Sequence, residues 1–196
     1  MTPLDIVYKD RDLLVVDKPS GLLTVPGARA EHKDSLQSRL LAEHPDALLV
    51  HRLDMDTSGI VVFALNKKAQ VALGRQFEGR STEKKYLARV WGQIEGDKGT
   101  INEPLINDWP NRPRQKICPE TGKPAVTHWE VLARDEISTR VRLTPETGRS
   151  HQLRVHLLHL GHPILGDNLY AHADAFGAAD RLQLHALTLG LQHPYT

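Results

Sequence analysis

The sequence predicts an α+β fold with a mixed, mostly antiparallel sheet and a few flanking helices. Short β-forming runs recur along the 196 residues, and several alternate apolar and polar side chains as half-buried strands do. Helical periodicity appears in only three stretches. Turns rich in Gly and Pro, and no flexible linkers, separate these elements. We therefore expect residues 1–196 to form a single catalytic domain.

Each predicted element follows from local periodicity and capping signals. Helices are predicted over 35–43, after a capping Asp34, over 68–77, where four apolar residues share one face, and over 151–160. The predicted strands cover residues 6–8, 13–17, 60–65, 86–91, 125–132, 139–143 and 184–191. The Pro-containing stretch 109–113 is predicted to be an ordered turn.

The charge distribution is polarised although the net charge is only +1. Residues 51–154 carry 18 Lys and Arg against 13 Asp and Glu. This excess suits an anionic ligand such as RNA, and it is equally compatible with ordinary solvated charge. The single cysteine, Cys118, excludes an internal disulfide and a cysteine metal cage. No leader and no apolar run near the roughly 20 residues of a membrane span is visible, so a soluble, cytoplasmic protein is expected.

The segment His51-Arg52-Leu53-Asp54 and the following Met-Asp-Thr-Ser-Gly lie between two apolar runs. A rigid scaffold should hold such polar side chains near a surface. Asp54 is then a candidate nucleophile. The alternative is structural: Asp54 or Asp56 closes a turn by accepting hydrogen bonds from the amides of Ser58 and Gly59.

Arg154 is unusual in the predicted helix 151–160. Helical geometry places it among leucines, whereas Gln152, His156 and His159 share a polar arc. A guanidinium in apolar surroundings needs an anionic partner or must extend its charge to solvent. If the partner is Asp54, the pair would keep that carboxylate ionised, as nucleophilic attack requires.

Tyr86 follows Lys84 and Lys85 at the start of a predicted strand. A tyrosine at such a position is usually a half-buried strand residue. Beside a nucleic-acid site, however, its ring can stack on a base and its hydroxyl can relay a proton.

Four motifs together resemble the RluA-type pseudouridine synthases. Residues 51–54 with 57–59 look like the catalytic motif of that family. Residues 17–23 resemble its first motif, residues 85–86 its tyrosine motif and residues 147–156 its arginine-bearing motif. The motifs occur in the family's order and span nearly the whole chain.

The resemblance implies the pseudouridine synthase catalytic fold and the isomerisation of uridine in RNA. Asp54 would be the nucleophile, Tyr86 would act on the uracil and Arg154 would hold Asp54 ionised. No cofactor and no metal are expected, because the reaction is redox-neutral, and the chain is expected to be a monomer. The residues expected to bind the substrate are His51, Arg52, Lys85, Arg112, Arg114, Lys116 and Arg149.

The match is closest to the RluA subgroup, which residues 107–113 also resemble. Its members modify a tRNA anticodon loop and a hairpin loop of 23S rRNA, so this resemblance implies the same two substrates. The chain has no room for the separate N-terminal RNA-binding domain of several relatives. It also stops before a further strand that family members usually carry, which suggests a shortened C-terminus.

Two other functions remain as alternatives at this point. The spacing of Asp54 and Asp56 resembles the metal-binding loop of haloacid-dehalogenase phosphohydrolases, although His51 and Arg52 separate it from the preceding apolar run. A noncatalytic RNA-binding module would need none of Asp54, Tyr86 and Arg154 in combination. A metal site built from His151, His156, His159 and His162 lacks the His-x-x-x-His pair of a zinc helix.

Overall fold

The computed structural model describes residues 4–195 and confirms the α+β fold with mostly antiparallel strands. Its strands are β1 (Asp5–Lys9), β2 (Leu13–Lys18), β3 (Leu48–Leu49), β4 (Ser58–Ala64), β5 (Glu83–Trp91), β6 (Lys98–Asn102), β7 (Leu105–Asn107), β8 (Gln115–Ile117), β9 (Val126–Arg134), β10 (Ser138–Pro145) and β11 (Leu184–Gly190). The α-helices are α1 (Leu36–Glu43), α2 (Lys67–Glu78), α3 (Gln152–His159) and α4 (Ala173–Gly177). Within the described residues, none of these helices is long and apolar enough to cross a membrane.

The chain forms two compact units. The first contains the residues up to Lys84 together with those from Ala186 onwards, and the second contains Lys85–His185. The boundaries fall inside β5 and β11, so the chain passes between the units within strands.

The first unit is built on β1, β2 and β4. β2 pairs with β1 and β4, and β3 pairs with the end of β4, all antiparallel. Leu13 and Val62 pack against Ala69 and Leu73 of α2 in a core cluster. Helix α2 begins where the Asn66 side chain accepts a hydrogen bond from the Ala69 amide at 2.9 Å. The packing of Ala69 and Leu73 in the core confirms the predicted apolar face of this helix.

The predicted cap of helix α1 was wrong by one residue. Ser35, not Asp34, accepts the hydrogen bond from the Ser38 amide, and the Ser38 hydroxyl accepts from the Ser35 amide. Asp34 instead forms an exposed ion pair with Arg39 at 2.6 Å. A serine hydroxyl can be buried against the helix end more easily than a carboxylate, and Ser35 is buried here.

The second unit is built on an antiparallel sheet in the order β5, β10, β9, β6. Val141 and Leu143 of β10 lie on one face and pack in a single core cluster with Leu153 and Leu157 of α3. Tyr86 opposes Leu143 across the strands and packs against the same cluster. Helix α3 therefore covers the face of the sheet to which Tyr86 belongs.

Several short elements were missed by sequence periodicity. They are β3, β6, the β7–β8 hairpin and α4. Strand β6 has one buried apolar residue, Ile101, and it is held by pairing with β9. The predicted turn over 109–113 is confirmed as a 3₁₀ turn, Trp109–Asn111.

Candidate active site

The residues around Asp54 form a turn in the first unit, and hydrogen bonds to the backbone of this turn hold it in place. The Thr24 hydroxyl donates to the Leu53 carbonyl at 2.8 Å and accepts from the Leu53 amide at 3.1 Å. The Thr57 amide donates to the Asp54 carbonyl at 3.2 Å, which closes a tight turn. Asp54 is half-buried, whereas its neighbour Arg52 is exposed. The turn thus places Asp54 at the border between core and solvent.

A buried lysine, Lys18 at the end of β2, supports this turn. Its ammonium donates to the carbonyls of Pro19 at 2.9 Å, Leu22 at 2.7 Å and Met55 at 2.9 Å. An ammonium has three N–H donors, so these bonds use all of them. Lys18 therefore fastens the end of β2 to the residue that follows Asp54.

The charge of Lys18 also bears on the candidate nucleophile. Burial lowers the pKa of Lys18 to about 8, and the negative charges of Asp56, Asp54 and Asp17 act in the opposite direction. Lys18 is therefore protonated at neutral pH, and its charge attracts Asp54. Sequence reasoning missed Lys18 as a site residue, although a lysine that ends an apolar strand was a visible signal.

His51 is engaged by its own unit. Its Nε2 accepts a hydrogen bond from the Val62 amide at 3.0 Å, and its ring stacks on Phe77 with centroids 4.6 Å apart. Burial, together with the positive charge of Lys84, lowers the pKa of His51 to about 4. His51 is thus a neutral residue that joins β4 to α2, and its predicted contact with substrate stays a prediction.

Arg154 lies in the second unit and has a carboxylate partner that the sequence did not reveal. Its Nε donates to Asp167 Oδ2 at 2.8 Å and its Nη2 to Asp167 Oδ1 at 2.6 Å. Nη2 also donates to the Asn168 side-chain oxygen at 3.1 Å, and the guanidinium lies 5.2 Å from the centroid of the Tyr170 ring. Arg154 is only 2% exposed, so of the two expectations for its charge, the anionic partner is the right one and extension to solvent is wrong.

The polar arc predicted on α3 is largely buried. Gln152 and His156 are buried, and only His159 is exposed. The Gln152 amide donates to the Val126 carbonyl at 2.9 Å, and the His156 ring bonds to the Thr127 hydroxyl at 2.9 Å. These bonds satisfy the polar atoms inside the unit, so a polar side chain here does not mark a solvent-facing side.

The predicted substrate-binding cations differ in their surroundings. Arg112 stacks over the exposed Trp109 ring at 3.6 Å, and Lys116 lies 3.5 Å from Asp108. Arg149 is half-buried and its Nε donates to the Pro124 carbonyl at 3.1 Å. The others are Arg52 and Arg114, which are exposed, and Lys85, which is half-buried.

One group of potential metal ligands occurs among residues 4–195. Asp10, Asp12 and His193 have ligand atoms within 4.8 Å of one another. Asp10 accepts hydrogen bonds from the amides of Asp12 and Leu13 at 2.7 Å and bonds to His193 at 3.0 Å. These contacts fit a turn that fastens the C-terminal segment to the β1–β2 connection.

The part of the chain that includes Asp54, Tyr86 and Arg154 matches a known protein family. The family described as RNA pseudouridylate synthase matches residues 12–159. The chain belongs to this family. As a pseudouridine synthase it converts uridine in RNA to pseudouridine, an intramolecular transfer of the base from N1 to C5. The family match sets aside the phosphohydrolase alternative.

Relatives of this pseudouridine synthase are close over nearly its whole length. The dual-specificity RNA pseudouridine synthase RluA of Yersinia pestis is 57% identical over 190 residues, which are 96% of this chain and 92% of the relative. RluA of Escherichia coli K12 is 56% identical over 192 residues, covering 97% of this chain and 88% of the relative. Among solved structures, human RNA pseudouridylate synthase domain containing 1 superimposes with a TM-score of 0.83 at 35% identity, covering 95% of this chain and 78% of the human one.

Proposed function

We propose that Asp54 is the catalytic residue of this pseudouridine synthase and acts on the ribose of the target uridine. The observation that supports this most directly is the fixed turn around Asp54, beside the positive charge of Lys18. An ionised carboxylate at this place can attack C1′ or remove the proton from C2′. In both routes the N1–C1′ bond breaks, the base rotates, and a C5–C1′ bond forms.

Tyr86 and Arg154 complete the proposed catalytic set. Tyr86 would stack on the uracil and assist loss of the C5 proton, while N1 gains a proton, so the product is an isomer of the substrate. Arg154 would also pair with Asp54. A guanidinium has five N–H donors, and the bonds to Asp167 and Asn168 use three, so its chemistry permits a second carboxylate partner.

The target uridine must leave its base stack before reaction. Unstacking costs a few kcal/mol and is easiest in a loop. Arg52 is exposed and next to Asp54 in sequence, so we propose that it occupies the vacated space and binds phosphate. Lys85, Arg112, Arg114, Lys116, Arg149 and His51 are the remaining proposed contacts, and the stacked Arg112–Trp109 pair offers an aromatic surface for an unstacked base.

We infer that the substrates are two RNAs, a tRNA anticodon loop and a hairpin loop of 23S rRNA. The relatives named dual-specificity synthases support two substrates. The loops themselves follow from the resemblance to the RluA subgroup. We further propose that both units act as one catalytic domain, and that the enzyme is a cytoplasmic monomer needing neither cofactor nor metal.

Tritium release tests the catalytic assignment. RNA carrying tritium at uridine C5 is incubated with wild type, Asp54→Asn and Asp46→Asn. We expect Asp54→Asn to lower the rate of release by at least about 10³-fold, because the amide is neither nucleophile nor base. Asp46 is exposed on the same unit, so Asp46→Asn should keep the wild-type rate. Equal release by Asp54→Asn and wild type would refute the assignment, and binding of RNA without release by the wild type would favour the noncatalytic module.

A further inference from the structure

The outer face of the sheet in the second unit carries arginines that the proposed catalytic set does not use. Ala88 of β5 and Val141 of β10 are buried in the core. Because side chains alternate along a strand, Arg89 and Arg140 project from the opposite face. Tyr86 packs on the core side. The thickness of the sheet therefore separates these arginines from Tyr86.

Two neighbouring cavities open on this outer face. One, called here the arginine cavity, has a volume of about 280 Å³, and the second, of about 290 Å³, shares two of its arginines. Together they are lined by four arginines and one carboxylate, so their lining is strongly cationic. The charged or ionisable residues are Arg89, Arg140, Arg181 and His185 around the arginine cavity, with Arg134 and Asp135 in the second.

Arg89 and Arg140 are directly opposed across β5 and β10. Like charges in this arrangement destabilise a sheet unless an anion offsets them. Arg89 has such an anion, because its Nη2 donates to Asp135 Oδ2 and to the Ser138 hydroxyl, both at 2.9 Å. The side chain of Arg140 is exposed and forms no hydrogen bond or ion pair with any residue in the range 4–195. Its guanidinium is therefore available to an external anion.

We propose that the arginine cavity binds a backbone phosphate of the RNA substrate outside the loop that enters the active site. Guanidinium groups bind phosphate through paired hydrogen bonds, and RNA is the polyanion on which this enzyme acts. With a volume of about 280 Å³, the cavity has room for a phosphate group. Arg140 is the principal ligand, supported by Arg181. The inference rests on the proposed function, because it takes RNA with a target loop as the substrate.

The test compares two RNAs with the same target loop, an isolated anticodon stem-loop and the full-length tRNA. Turnover is measured by tritium release, and the dissociation constant is measured over a series of KCl concentrations. For Arg140→Gln combined with Arg181→Gln, we expect KM for the full-length tRNA to rise about 5- to 10-fold at constant kcat. The slope of the logarithm of the binding constant against log[KCl] should become shallower by about one, because one phosphate contact is lost. Kinetics on the stem-loop should be unchanged.

Controls separate this site from general charge and from the proposed function. Arg75→Gln removes one positive charge, half of what the double variant loses, from an exposed position on α2 and should leave the kinetics on both RNAs unaffected. Arg140→Lys keeps the positive charge, so the dependence of its RNA binding on KCl should be close to that of the wild type. Wild-type kinetics of the double variant on full-length tRNA would overturn the proposal, as would an equal loss on the stem-loop. Absence of turnover by the wild type would instead refute the proposed function, while the salt series still reports on the cavity.

Discussion

Arg154 and Asp167 form a bidentate ion pair that is almost entirely withdrawn from solvent, with side-chain exposures of 2% and 0%. Asp167 Oδ1 also accepts hydrogen bonds from the amides of Leu169 and Tyr170 at 2.9 and 3.1 Å. The carboxylate is therefore fixed by the backbone that follows it, and in turn it fixes the plane of the guanidinium. Asp167 is thus a positioning residue for Arg154.

Removing Asp167 should affect stability and catalysis separately. Asp167→Ala takes from the buried Arg154 the carboxylate that holds it through two hydrogen bonds, so we expect the free energy of unfolding to fall by about 3–5 kcal/mol. Asp167→Asn keeps the shape of the side chain and should fold, but it holds the guanidinium less firmly. We expect kcat to fall about 10- to 100-fold with little change in KM. Urea unfolding and tritium-release kinetics provide the two measurements.

An exposed aspartate of the same unit, Asp180, supplies the control. Asp180→Asn should match the wild type in both measurements. Wild-type kcat in a folded Asp167→Asn variant would show that Asp167 does not position Arg154 for catalysis.

Lys18→Met tests whether the buried ammonium holds the turn of Asp54. The substitution keeps most of the apolar stem and leaves three carbonyls without their donor. Since hydrogen bonds to charged groups are worth about 1.5–3 kcal/mol each and do not add fully, we expect a loss of about 2–4 kcal/mol in the free energy of unfolding. We also expect kcat to fall at temperatures where the variant is folded.

The matched variant is Lys68→Met, at an exposed position on α2. It removes one lysine charge without disturbing a buried carbonyl. A Lys18→Met variant as stable and active as Lys68→Met would contradict the role given to Lys18.

His51 should make the stability of the protein depend on pH between about 4 and 6.5. Its pKa is about 4 in the folded chain because of burial and the charge of Lys84, and the ordinary value is 6.5. Below pH 6.5 the unfolded chain therefore binds this proton first, so stability falls as the pH falls and is fully present above 6.5. The contribution lost is about 3 kcal/mol by pH 4. Burial also lowers the pKa of His156, which adds a change of the same sign.

Denaturant unfolding at a series of pH values measures this effect. His51→Gln keeps an acceptor for the Val62 amide and has no titrating ring, so the slope between pH 6.5 and 4 should become shallower. His159→Gln, at an exposed position, should leave the slope as in the wild type. If the free energy of unfolding depends on pH in the same way in His51→Gln and His159→Gln, His51 is not the source of the dependence.

The long elements and the motifs were predictable from the sequence because they depend on local patterns. Helix α2 was predicted within one residue at each end, since its apolar face and its start are encoded locally. The short strand β6 was not, because pairing with β9 and not its own periodicity holds it in place.

The candidate site was predictable only in part for a similar reason. Asp54 and Arg154 stood out by their neighbours in sequence. The partnership of Arg154 with Asp167 joins residues 13 positions apart through a loop, and a carboxylate in a loop normally indicates solvent exposure. Periodicity placed Gln152 and His156 on one side of α3, but it could not show whether polar residues there are exposed or are buried with hydrogen-bond partners.

Gly59 follows the Asp54 turn at the start of β4 and should tolerate no side chain. Its φ is +118°, which residues with a Cβ rarely adopt. A Cβ at this position would overlap the carbonyl oxygen of Ala186 in β11 and lie 2.6 Å from its amide nitrogen, and both are backbone atoms that cannot rotate away. We expect Gly59→Ala to lower the free energy of unfolding by about 3 kcal/mol or more, from backbone strain and overlap together.

Gly74 provides the opposite outcome for the same substitution in the same unit. It lies inside α2, and nothing is within 4 Å of an added Cβ. Because glycine is less favourable than alanine in a helix by about 0.5–1 kcal/mol, Gly74→Ala should raise the free energy of unfolding by about that amount. Urea unfolding of both variants measures the contrast. If Gly59→Ala is as stable as the wild type, β4 and Ala186 do not approach as closely as the structure places them.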